Sequence, residues 1–136
     1  MAGKNFLLEI VTPRKVMFNG QVQSFTAPGA VGSFQILFNH APFLSATTVG
    51  EVKVVDAEGV ATRYATGGGF VEVKNNHVVM LADSIELLMD IDVARAERAK
   101  ARAQERLAER QANLDFDRAQ LALSRALNRI RLAGQQ

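Results

Sequence analysis

Glycine and proline vanish from Ile91 to Ala133, a stretch filled with alanine, arginine, leucine, glutamate and glutamine. Residues of these types form helices readily, and without breakers nothing interrupts them. The preceding ninety residues read otherwise. They hold all three prolines and most of the glycines, and their apolar residues alternate with polar ones over short runs. One chain with two incompatible periodicities resolves into two modules, β first and α second.

In the first module Phe6, Leu8 and Ile10 alternate with Leu7, Glu9 and Val11, and Thr12-Pro13-Arg14 ends the run. Val16 to Phe18 and Val22 to Thr26 flank Asn19-Gly20, a dipeptide that favours hairpin turns. Pro28 to Gly32 reads as a loop, and Phe34 to Phe38 as a short strand. Val52 to Val55 and Val60 to Thr66 are joined by Asp56-Ala57-Glu58-Gly59, while Phe70 to Lys74 and Val78 to Leu81 flank Asn75-Asn76-His77. Short strands with frequent turns predict a sandwich or a small barrel. In the second module Ala96, Ala99, Ala103 and Leu107 recur at helical spacing, as do Ala119, Leu123, Ala126, Ile130 and Ala133. Asn113 to Asp117 breaks the pattern with cap-forming residues, which predicts two antiparallel helices joined near there. The expected boundaries are a β domain over residues 1–86 and a helical hairpin over 87–136, with regular structure from about Lys4 to Asp83 and Asp90 to Ala133.

Charge follows the same division. Met1 to Asp90 carries six Lys/Arg against eight Asp/Glu, a net of −2, and Ile91 to Gln136 carries ten against six, a net of +4. A basic helical module calls for an anionic partner. Arg95, Arg98, Arg102 and Arg106 fall on one helix face, and Arg125 and Arg129 lie one turn apart on the second helix. A solvated face with Glu105 and Glu109 as partners is the plain interpretation. Against it, like charges on one face repel, and an anion between the helices or an acidic partner surface would relieve that. Nucleic acid is one such anion, but Phe116 is the sole aromatic of this half and offers no stacking platform.

Catalysis finds little support. There is no cysteine, and His40 and His77 lie in different predicted loops without ligand-like neighbours, so no metal site is expected. Gly67-Gly68-Gly69 precedes a strand, not a helix, and lacks the dipole that a phosphate loop uses, so a bulge or tight strand entry is expected there. The N-terminus shows no targeting segment, and no apolar run nears the roughly 20 residues that span a bilayer.

Taken in order, several motifs resemble the epsilon subunits of bacterial-type F-type ATP synthases. They are Ile10-Val11-Thr12-Pro13, Pro28 through Leu37, Asn39-His40-Ala41-Pro42-Phe43-Leu44, Gly67 through Val73, Asn76 through Asp83, and Ile91-Asp92-Val93-Ala94-Arg95-Ala96. The resemblance runs from about Phe6 to the C-terminus. It implies a β-sandwich followed by an antiparallel two-helix hairpin, in a non-catalytic rotor subunit without a required cofactor. It implies partners too: the gamma subunit and the c-ring for the sandwich, with contacts at Val31, Ser33 and His40, and the catalytic alpha/beta head for the extended hairpin, which brakes hydrolysis. The location implied is peripheral, at the cytoplasmic face of the bacterial plasma membrane. Some family members bind ATP on the folded hairpin, and their pattern is matched here by Glu86, Ile91, Asp92, Arg95, Ala96, Arg102, Arg125 and Arg129. Phe38 stands where members often carry proline, and Val31 and Ser33 stand where some present glutamates. The competing reading is a free-standing adaptor or a basic nucleic-acid-binding module.

Overall fold

A computed structural model describes residues 4–109 and 115–135 of the chain. It divides into two compact units, Met1–Leu87 and Leu88–Gln136.

Among its described residues the first unit holds nine strands: β1 (Phe6–Val11), β2 (Val16–Gly29), β3 (Gly32–Ile36), β4 (Phe43–Thr47), β5 (Gly50–Asp56), β6 (Ala61–Thr66), β7 (Gly69–Lys74), β8 (His77–Ala82) and β9 (Ile85–Leu87). Their order is β4-β7-β8-β1-β2-β5-β6-β9, with β3 also on β2. The pairs are antiparallel except β1 with β8. Alternation places Phe6, Leu8 and Ile10 inward, where Val22, Phe25, Val52, Val54, Val71, Val73, Val78 and Met80 join them in one core. Each fully buried side chain of this size stabilises the fold by roughly 1.5–3 kcal/mol. The result is a β-sandwich.

The 14-residue β2 links the layers. Its first half pairs with β1 and its second half with β5 and β3. The β2–β5 register shifts between Val22 and Ser24. The intervening Gln23 donates from Nε2 to the Ala57 carbonyl at 3.2 Å. A bulge of this kind bends a strand and raises its twist.

Asn19-Gly20 is not a turn, contrary to the sequence-based expectation. Asn19 pairs with Glu9 and Gly20 with Leu8, deep in the β1–β2 ladder. A two-residue hairpin turn of the Asn-Gly kind needs positive φ at both positions. Neither residue has it. The reversal lies earlier, at Thr12–Lys15. There the Thr12 amide donates to the Lys15 carbonyl at 2.9 Å, and Thr12 Oγ1 accepts from the Arg14 and Lys15 amides. The Pro28–Gly32 segment is mostly strand, with only Ala30 and Val31 outside it. The Asp56–Gly59 turn forms as its residues predict, with Asp56 Oδ1 accepting from the Glu58 and Val60 amides at 2.9 Å.

Gly67–Gly69 is a tight strand entry. Gly68 and Gly69 take φ of 101° and 153°. A Cβ on Gly69 would collide with the Leu81 carbonyl oxygen and sit 2.9 Å from Ala82 Cα. Only glycine allows β7 to pass β8 so closely.

The second unit opens with one 3-10 turn, Leu88–Asp90, followed by α1 (Val93–Glu109) and α2 (Phe116–Ala133). Asp115 caps α2, accepting from the Arg118 amide at 3.0 Å. Asn113 and Leu114, in the predicted connection, lie outside the described residues.

Candidate regulatory and docking sites

The helices meet along the predicted stripes. Ala96 and Ala103 on α1 and Ala119 and Ala126 on α2 are buried, with Ala99, Leu107, Leu123, Ile130 and Ala133 half-buried beside them. At 100° per residue, Arg95, Arg98, Arg102 and Arg106 lie about 100° round α1 from this seam, and Arg125 and Arg129 lie about 100° round α2 in the same sense. In an antiparallel pair those two positions fall on one edge of the hairpin. The helices run apart from a shared connection, so Arg95 stands near the level of Arg129, and Arg102 near that of Arg125. The sequence-predicted arginines are thus brought to one edge.

Arg95, Arg98, Arg102 and Arg106 are exposed and form no ion pair among the described residues. The Arg125 side chain is half-buried, and its Nε is shielded from solvent without a hydrogen-bond partner. A shielded, unpaired guanidinium N–H is costly, and an anionic acceptor would satisfy it. Arg63 on β6 makes the contrast. It donates from Nε and Nη2 to both Glu51 carboxylate oxygens at 2.9 and 2.8 Å, and this hydrogen bonding raises its pKa further.

Ile91, Asp92, Arg95 and Ala96 have a structural role as well. Asp92 Oδ1 accepts from the Arg95 amide at 3.0 Å, and its carbonyl accepts from the Ala96 amide at 3.0 Å. Asp92 is therefore the N-cap of α1. Buried Ile91 and Ala96 occupy the two flanking positions of a hydrophobic staple. Half of the matched pattern is thus also a helix-start signal. Asp92→Ala is expected to destabilise the first turn of α1 by about 1 kcal/mol, whereas Asp92→Asn keeps the cap. Amide exchange at Arg95 and Ala96 will read the difference. Equal protection in both variants would remove the capping role.

Glu86 belongs to the first unit, half-buried on β9 opposite Ala65. Val31 is fully exposed between β2 and β3, and Ser33 is exposed beside it. His40 follows the other end of β3, its Nδ1 2.7 Å from the Ala41 carbonyl and its ring edge-on to Phe43. These three predicted contact residues are not gathered at one point, since β3 intervenes.

A surface that sequence reasoning missed lies on the outer face of β1, β8, β7 and β4. Phe70 sits opposite Leu81, Leu81 opposite Val11, and Ala46 opposite Phe70, with Leu44 on the same face of β4. Leu44, Phe70 and Leu81 are 69%, 56% and 56% exposed. The row Ala46, Phe70, Leu81 and Val11 is apolar throughout, while Leu44 faces Glu72 and the Glu9–His77 pair lies on the same side, so an apolar stripe with a charged border makes this a candidate interaction site. The available signal was that β7 carries apolar residues in both alternating sets, Phe70 outward and Val71 and Val73 inward.

An exposed apolar row on a sandwich, joined in sequence to a basic-edged hairpin, is the architecture of an interaction module. A family model for the beta-sandwich domain of the ATP synthase delta/epsilon chain matches residues 5–88, and one for its long alpha-helix domain matches residues 89–134. The chain belongs to the ATP synthase epsilon-chain family, a non-catalytic part of the central stalk. It is 45% identical to the ATP synthase epsilon chain of Desulforamulus reducens over 93% of this chain and 95% of that one. It is 46% identical to that of Nitratidesulfovibrio vulgaris over 96% and 97%. A chain in the Euglena gracilis mitochondrial ATP synthase, at 17% identity, shares the fold with a TM-score of 0.76 over 100% of this chain and 84% of that chain. No described helix is long and apolar enough to cross a membrane. The free-standing adaptor alternative gives way to membership of a complex.

Proposed function

We propose that this chain couples proton flow to ATP synthesis as a rotor subunit and restrains ATP hydrolysis through its hairpin, with ATP as the signal that holds the hairpin folded. The sandwich docks on the gamma subunit through the apolar face of Leu44, Phe70 and Leu81. The Val31 turn and Ser33 approach the c-ring, and His40 lies beyond the far end of β3. The complex places the chain at the cytoplasmic face of the bacterial plasma membrane, held there by its partners.

The observation that carries the ATP reading is the shared arginine edge with the shielded, unpartnered Arg125 Nε. ATP phosphates there would neutralise Arg95, Arg102, Arg125 and Arg129 together and bridge both helices, with the Ile91-Asp92 turn at the adenosine end and Ala96 beneath it. Glu86 lies in the first unit, and the reading for the hairpin stands without it. The pairing of the helices supports the same reading. An alanine seam buries little area, so the folded hairpin is weakly held and a ligand can tip it. A ligand present at 100 times its Kd that binds only the folded state adds about 2.7 kcal/mol to it.

Calorimetric titration with ATP, with and without magnesium, tests this. Heat and a thermal shift are expected for the native chain, with affinity at least tenfold lower in the Arg95→Ala plus Arg129→Ala variant. Silence at millimolar ATP, or unaltered affinity in the variant, would end the proposal.

A further inference from the structure

Beside the apolar outer face the sandwich has a cavity of about 330 Å3, formed where the β1–β2 turn faces the segment between β8 and β9. Arg14 and Lys15 stand on one wall, Asp83 and Ser84 on the other, and Met17 and Ile85 supply apolar lining. Arg14 and Lys15 are exposed and make no ion pair among the described residues, so Asp83 does not neutralise them. Their backbone amides are engaged with Thr12 Oγ1, which fixes the turn and leaves both cationic side chains free of it. Ser84 uses its carbonyl to accept from the Gly67 amide and the Thr66 hydroxyl, at 2.9 and 3.1 Å. Its own Oγ is buried and has no partner.

We infer that this cavity receives an acidic side chain from the protein segment that covers the apolar face. The inference rests on the docking reading above and adds the chemistry of the partner. Continuity is one argument. Val11, in the apolar row, leads directly into the β1–β2 turn, and Leu81, in the same row, stands two residues before Asp83. A segment laid across Phe70, Leu81 and Val11 therefore reaches the cavity mouth. Charge is the other. Two cations and one carboxylate leave an excess positive charge, and a carboxylate placed between Arg14 and Lys15 would accept from both. Its second oxygen would accept from Ser84 Oγ and end that group's isolation. The partner surface is thus an apolar stretch with an aspartate or glutamate at its end.

The test uses the ATP synthase complex stripped of this chain and rebound with purified variants. Arg14→Ser plus Lys15→Ser is expected to weaken rebinding about tenfold and to flatten its salt dependence, because charge pairs at an interface rim govern both. Asp83→Asn, which removes the competing carboxylate, is expected to tighten rebinding. Phe70→Ser plus Leu81→Ser monitors the docking reading separately. If that variant weakens rebinding while the arginine–lysine variant keeps native affinity and salt slope, the cavity inference falls and the docking face stands. If the apolar variant rebinds normally, the docking reading falls, and this inference with it. Phosphate binding by the free chain that is lost in the arginine–lysine variant, while that variant rebinds with native affinity and salt dependence, would assign the cavity to a small anion and overturn the inference.

Discussion

Removing every residue after Asp90 is expected to raise ATP hydrolysis by the complex several-fold while the shortened chain still assembles. Assembly should survive because the first unit, Met1–Leu87, carries its own core, with sixteen buried residues among those described, and the exposed apolar face. Hydrolysis should rise because the arginine edge goes with the hairpin. Four exposed arginines on α1, without ion pairs among the described residues, repel one another along one edge. In a partly closed cavity lined with acidic side chains such charges are screened far less than in open solvent. On the function proposed above, this edge would be the brake that the shortened chain lacks. Purified complex with full-length or shortened chain, compared for hydrolysis and subunit content, gives the answer. Equal hydrolysis at equal assembly would mean that the hairpin is no brake in this protein.

Gly69→Ala is expected to be the most damaging single-methyl change in the first unit, with a loss above the 4–5 kcal/mol that marks exceptional substitutions. The added carbon would meet the Leu81 carbonyl oxygen and Ala82 Cα, both backbone atoms paired in the β7–β8 ladder. They cannot move without breaking that ladder, and φ of 153° adds strain of its own. Gly32→Ala is the informative control. Gly32 has φ of 128° but faces open space, so it should lose only the conformational term of about 1–3 kcal/mol. Urea midpoints of the two variants separate collision from strain. Equal losses would mean that β7 and β8 can part at little cost.

Much of this was legible in the chain because local pattern and tertiary burial agree. Phe6, Leu8 and Ile10 announce a strand with one buried side, and Ala96, Ala103, Ala119 and Ala126 announce a seam. Asn19-Gly20 misled because a turn-favouring dipeptide also tolerates extended backbone, and its pairing with Glu9 and Leu8 is decided by residues far from the dipeptide. Strand β9 escaped because three residues carry too few alternations, and β4, as short as β3, escaped because its small Ser45 and Ala46 blur the alternation that the larger residues of β3 display. The docking face was hidden for a different reason. Periodicity separates the two sides of β7 but does not say which side the core covers, so Phe70 looked like any strand phenylalanine. In the hairpin, spacing revealed that arginines share a face on each helix. That the two faces meet on one edge follows only from the antiparallel pairing.

Strand β2 has a mechanical consequence. Its fourteen residues run unbroken from the ladder with β1 into the ladders with β5 and β3. Sliding one layer of the sandwich over the other would have to stretch this backbone, not merely shear side chains past each other. Torque applied at the apolar face would thus cross between the layers along the β2 backbone and enter β5 and β6 through the hydrogen-bonded ladders that follow it. A part built this way behaves as a stiff coupling, with little lag between the layers when it is driven from one side.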